Sequence, residues 1–137
     1  ASRPDVDYLG SRDGAGVREE MRNAAALVVA STWHDVLPTV IIEALAIGRP
    51  VLGTNLGGIP HLIGDAGWAV EPEVEALADG MVRAVGESGS VRESGSVDES
   101  AIPSAELRKR ARQRYVENFT PAVVLDRLIE VYEKVRR

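Results

Sequence analysis

Three short apolar runs, separated by stretches of helical periodicity, constrain this chain more than any other feature. Residues 26–30 read Ala-Leu-Val-Val-Ala, residues 50–54 read Pro-Val-Leu-Gly-Thr and residues 66–70 read Ala-Gly-Trp-Ala-Val. They are strand-like in length and content, and the unbroken apolar character of 26–30 predicts a strand covered on both faces. Between the first two runs, Val40, Ile41, Ala44 and Leu45 recur at helical spacing, with Pro38-Thr39 opening that helix and Gly48 closing it. After the third run, Leu77, Met81 and Val85 mark one side of a helix over residues 74–85. Strands alternating with helices predict an α/β fold, a parallel sheet with helices on both faces. Ligands of such sheets bind beyond the carboxyl ends of the strands.

The pattern extends in both directions. Val6-Asp7-Tyr8-Leu9-Gly10 alternates and stops at glycine, which predicts a short strand. Gly14 and Gly16 open a helix over residues 17–24, with Val17 and Met21 on its buried side. Near the other end, Ser104 is a good N-cap for a helix reaching about Asn118, and Thr120-Pro121 begins a last helix. Val124, Leu125, Leu128, Ile129, Tyr132 and Val135 form the apolar stripe of that helix, and Lys134, Arg136 and Arg137 sit where its dipole favours cations. Residues 86–103 differ from the rest: Glu-Ser-Gly-Ser-Val occurs twice, at 87–91 and 93–97, and leaves little to bury. This composition predicts a flexible acidic insertion.

The chain's 137 residues, 45% of them apolar, are enough for one packed domain. Its net charge of −5 argues against a nucleic-acid binder, which needs a basic face. One run, Arg108-Lys109-Arg110-Ala111-Arg112-Gln113-Arg114, breaks the pattern. It reads as a solvated helix face, with contact to an anionic surface, hence peripheral membrane association, as the alternative. Without cysteine there is neither a disulfide nor a thiolate metal site, which fits a reducing, cytoplasmic setting. No apolar run has the length of a membrane span, and the first residues are too polar for a signal peptide. The chain does not open on Met, so a fragment or processed product is expected.

The strongest chemical signal lies in the two loops that follow the first two apolar runs. Ser31 and Asp35 follow one, Asn55, Gly57 and Gly58 follow the other, and Glu43 stands eight positions after Asp35. Such loops suit a nucleotide-sugar. A carboxylate accepts hydrogen bonds from two vicinal hydroxyls, which fits Glu43 to a ribose. The amides of Leu37, Thr39 and Val40 lie at a helix start, where free donors and the dipole attract phosphate. Gly57 and Gly58 leave room for close backbone approach, and Asp35 is placed to reach the transferred sugar. Plainer readings stand beside these: Glu43 as a solvated helix residue, Asp35 as a loop or capping acid, and Gly57-Gly58 as a turn.

Taken in order, Ser31, Trp33, Asp35, Pro38, Glu43-Ala44, Ala46, Gly48, Pro50-Val51 and Gly57-Gly58 resemble the donor-binding signature of glycosyltransferase family 4, retaining enzymes of the GT-B fold. The similarity covers nearly the whole chain, with residues 6–10, 24–31 and 119–121 matching as well. It implies a partial C-terminal, Rossmann-like domain spanning residues 1–137 that binds a nucleoside-diphosphate sugar. By that resemblance Asp35 contacts the donor sugar and supports catalysis, Glu43 holds the ribose, and Leu37, Thr39 and Val40 hold the pyrophosphate. Gly57 and Gly58 match the double-glycine loop. No metal or cofactor is implied, and His34 and His61 lack metal-ligand spacing.

The chain also departs from the family. Asp35 replaces a glutamate and is one methylene shorter; Val36 stands where glycine is common, Pro38 removes an amide donor, and His61 takes a place often held by glutamate. His61 reads as a surface helix residue. The family's N-terminal acceptor domain has no counterpart here, nor do the first two strands of the donor domain, which carry an Arg and a Lys against the pyrophosphate. Without those cations the chain alone is expected to be inactive. The absent strands should also leave residues 6–9 without their native neighbours. Either residues 6–9 re-pair against 26–30, or another chain, a second copy included, fills the gap at the exposed sheet edge. The expected function is transfer of a sugar, with retention, to an unidentified acceptor. An inactive or regulatory fragment acting through binding or assembly is the alternative, and a nucleotide-sugar epimerase is a third reading.

Overall fold

The computed structural model describes residues 3–87 and 105–136. The elements run α1 (Gly14–Asn23), β1 (Leu27–Val29), α2 (Thr39–Ala46), β2 (Val51–Thr54), α3 (Ile59–Ile63), β3 (Gly67–Val70), α4 (Val74–Glu87), α5 (Ala105–Asn118) and α6 (Pro121–Val135). The three strands form one parallel sheet in the order β1-β2-β3. Leu27 pairs with Val51 and Val29 with Gly53, while Val51 pairs with Gly67 and Thr54 with Val70.

Strand alternation places the core on both faces of this sheet. Val51 belongs to one cluster, with Met21 of α1, Ile41, Ala44 and Leu45 of α2, Ile59, Leu62 and Ile63 of α3, and Ala111 of α5. Its neighbour Leu52 belongs to the other, with Trp68, Ala84 of α4 and Leu107 of α5. The predicted α/β architecture, a Rossmann-like parallel sheet with helices on both faces, is therefore present. The acidic insertion at about 86–103 and the Ser104 cap lie outside the described residues, except that α4 carries its helix through Gly86 to Glu87. Among the described residues no helix is long and apolar enough to cross a membrane.

Four expectations need correction. Residues 6–9 form no strand, and Tyr8 is 94% exposed. An extended segment becomes a strand only when its amides and carbonyls find a ladder, and among the described residues β1 pairs with β2 alone. Of the two outcomes expected for this segment, re-pairing against residues 26–30 does not occur. Strand β1 is not covered on both faces either: it is an edge strand, α4 packs on β2 and β3, and Val28 is left 39% exposed.

The buried side of α4 is not the row of Leu77, Met81 and Val85. Gly80 and Ala84 are the buried residues, and a Cβ at Gly80 would lie 2.7 Å from Leu52 Cδ1. Small residues set this face because they let the helix close on the sheet, which leaves Met81 in solvent. The stripe of α6, finally, packs against little. Val124, Leu125, Leu128, Ile129, Tyr132 and Val135 are between 46% and 79% exposed. The Thr120 cap is as expected, with its Oγ1 accepting from the Val123 amide at 3.4 Å.

The basic run on α5 does more than meet solvent. Arg112 donates to the Ala46 carbonyl at the end of α2. Arg114 donates to the His61 carbonyl and, at 2.7 Å, to the Leu62 carbonyl at the end of α3. A third arginine, Arg49, donates to the Arg22 carbonyl at the end of α1. Each closes a helix terminus whose last carbonyls lack intrahelical donors, and each adds a cation at the negative end of a dipole. Arg114→Met is expected to lower stability by about 1–3 kcal/mol, read as a fall in the urea midpoint at constant slope.

Candidate functional site

The carboxyl ends of the strands are tied together by polar contacts. Thr54 is buried, and its hydroxyl donates to the Ser31 carbonyl at 2.8 Å, joining the exits of β2 and β1. The Asn55 amide donates to the Val70 carbonyl at 2.6 Å, and its side chain donates to Glu71 Oε1 at 3.2 Å, joining β2 to β3. A cavity of about 150 Å³ opens at this rim, lined among others by Ser31, Thr32, Thr54, Glu73 and Leu77. None of residues 31–39, 55–58 or 71–74 is lysine or arginine.

The predicted loops meet. The Gly58 amide donates to the Asp35 carbonyl at 2.8 Å. Gly57 has φ +55, and a Cβ there would stand 2.4 Å from the Asp35 carbonyl oxygen. At Gly58 a Cβ would stand 2.1 Å from the Val36 carbonyl oxygen. These glycines admit the backbone of residues 34–36, which lies where a side chain on either would stand. The glycine pair fixes the course of the Asp35 loop.

Asp35 Oδ1 accepts from the Leu37 amide at 3.1 Å, a local turn typical of aspartate. One carboxylate oxygen is therefore engaged, and so is the Leu37 amide. The helix start itself is open. Pro38 occupies the N-cap position of α2 and makes no side-chain capping bond. The Thr39 and Val40 amides have no protein acceptor among the described residues. Glu43 lies one helical turn beyond Thr39, exposed, with no hydrogen bond or ion pair among the described residues. The structure thus brings Asp35, Leu37, Gly57 and Gly58 into direct contact, and places Thr39, Val40 and Glu43 in succession along the first turns of α2. Trp33, Val36 and Leu37 are exposed on the same loop. His34 and His61 are exposed, His61 on α3. Among the described residues no three His, Cys, Asp or Glu side chains gather to hold a metal.

Sequence reading missed Thr54 and the Asn55–Glu71 pair. A signal was available for the first: a hydroxyl closing the otherwise apolar run Val51-Leu52-Gly53 needs a partner if buried. The second depends on the register of β2 against β3, which no local pattern specifies.

Comparison with known proteins gives a consistent picture. The model of the family described as glycosyl transferases group 1 matches residues 1–87. The chain is 26% identical over 136 residues to the alpha-maltose-1-phosphate synthase of Mycobacterium tuberculosis, covering 98% of this chain and 34% of that protein. It is 26% identical over 135 residues to the N-acetyl-alpha-D-glucosaminyl L-malate synthase of Bacillus anthracis, covering 96% of this chain and 31% of that one. The chain therefore spans about a third of the length of these relatives. A solved glycosyltransferase from Rickettsia africae superimposes with a TM-score of 0.62 at 26% identity, over 80% of this chain and 27% of the other.

Proposed function

The chain belongs to the glycosyl transferases group 1 family, and from that premise we propose that it is the donor-binding part of a retaining glycosyltransferase. It holds a nucleoside-diphosphate sugar whose sugar passes, with retention, to an unidentified acceptor. The observation that carries this reading is the open start of α2, with the Thr39 and Val40 amides free and Glu43 one turn beyond. Free amides at a helix start hold phosphate oxygens and offset the charge that grows on a departing diphosphate. Thr39 adds a hydroxyl, and Glu43 accepts from the ribose hydroxyls. Asp35 keeps one carboxylate oxygen for the donor sugar while the other holds the Leu37 amide, so Leu37 joins the phosphate only when Asp35 releases it. Gly57 and Gly58 act indirectly, by setting the position of Asp35.

The reading needs no metal and no cofactor, and a cytoplasmic supply of activated sugar. It does need cations that the crevice lacks, so turnover depends on a further domain or a second chain that brings the acceptor. The apolar, exposed side of α6 supports such a partner. The missing cations equally favour the second reading, an inactive or regulatory fragment that binds the donor or assembles without turning it over.

Thermal unfolding of the 137-residue chain with UDP-, GDP- and ADP-sugars tests the proposal. One of these donors is expected to stabilise the chain by about 2.7 kcal/mol when present at a hundred times its Kd. No shift with any donor on a folded chain would overturn donor binding and leave assembly as the function.

A further inference from the structure

A second cavity lies at the other end of the sheet. It measures about 440 Å³ and is bounded by Ala46, Ile47 and Gly48 at the end of α2 and by Arg108, Lys109 and Arg112 on α5. Gly48 leads into β2, so this cavity sits by the amino ends of the strands, away from the donor crevice. Its walls are rigidly related: Gly48 has φ +70, and a Cβ there would stand 3.1 Å from the Arg108 carbonyl oxygen, so α5 rests directly on the turn.

Among the described residues, three cations line the cavity and no carboxylate does. Arg112 has a structural task at the end of α2. Arg108 and Lys109 have none, because neither side chain makes a hydrogen bond or ion pair among the described residues. Arg110, on the same helix, is paired with Glu106 at 3.3 Å and does not line the cavity. Behind the wall, Arg49 is 2% exposed and its Nε has no partner. Burial first, and the charge of Arg108 second, hold its pKa below the usual arginine range. Like charges gathered without a carboxylate among the described residues repel one another.

We propose that this cavity binds a phosphate group, with the Arg108 guanidinium and the Lys109 ammonium donating to its oxygens and Arg112 completing the positive wall. Phosphate fits better than a carboxylate because its higher charge and three or more acceptor oxygens match two unengaged cations at once. The α2 carbonyls do not compete: Ala46 accepts from Arg112, Leu45 from the Gly48 amide and Ala44 from the Arg49 amide. Soluble phosphate compounds and anionic lipid headgroups share this chemistry.

Two measurements on the 137-residue chain separate these sources. One is calorimetric titration with inorganic phosphate; the other is co-sedimentation with vesicles of phosphatidylcholine alone or mixed equally with phosphatidylglycerol. Binding of inorganic phosphate that the Arg108→Gln/Lys109→Gln variant weakens assigns the soluble source, and sedimentation only with the mixed vesicles assigns the headgroup. In either case the Arg108→Gln/Lys109→Gln variant is expected to bind about tenfold more weakly or worse, with Arg110→Gln close to the parent and added salt weakening the interaction. No response in either arm overturns the site. So does an Arg110→Gln loss as large as that of the double variant, since the helix would then act only as diffuse charge. Glu43→Gln should leave this binding intact, so the donor reading and this one fail separately.

Discussion

Gly58→Val is expected to lower the stability of the chain by about 3 kcal/mol or more and to abolish any donor-induced thermal shift. The atom that a new Cβ would meet is the Val36 carbonyl oxygen at 2.1 Å, part of the backbone rather than the tip of a flexible side chain. Relief therefore requires the loop carrying Asp35 to move away. That movement breaks the bond from the Gly58 amide to the Asp35 carbonyl, 2.8 Å long. One substitution outside the helix would thus disturb both the junction of two loops and the carboxylate assigned to the donor sugar. Urea unfolding followed by circular dichroism measures the first effect, and the donor panel the second. A variant with parental stability would mean that the two loops are not packed as described.

Glu43→Gln separates binding from folding in the opposite way. Glu43 is exposed and makes no contact on which the fold depends, so its stability should stay within about 0.5 kcal/mol of the parent. Donor affinity should fall by about 10- to 100-fold, the loss that follows when a charged hydrogen-bond acceptor becomes neutral. The substitution keeps the shape of the side chain and removes the charge that two ribose hydroxyls would share. Calorimetric titration with the donor that stabilises the parent chain checks it. Unchanged affinity would assign Glu43 to solvent, as its plainer reading has it.

The βαβ core was legible because its signals are local. The run at 51–54 is buried throughout, Ile41, Ala44 and Leu45 face the core at helical spacing, and the two site loops follow strands that are neighbours in the sheet. What escaped depends on partners distant in sequence. The alternation at residues 6–9 is a strand signal that finds no ladder, and the stripe of α6 is an amphipathic signal with little among the described residues laid across it. Arg114 reads as one member of a basic run, yet its partners His61 and Leu62 lie more than fifty residues upstream. At the glycine pair, the close approach within the chain is that of residues 34–36. Composition specifies that something must come near a glycine and leaves open what does.

The position of α5 bears on where this protein can be divided. Leu107 enters the core on one face of the sheet and Ala111 the core on the other, while Arg112 and Arg114 close the ends of α2 and α3. One helix late in the chain thus pins both layers and two earlier helices. The family match stops at residue 87, but the folding unit does not. A truncation drawn at the edge of that match would open two helix termini and uncover both cores at once. The boundary of the family match and the boundary of cooperative folding fall at different places along this chain.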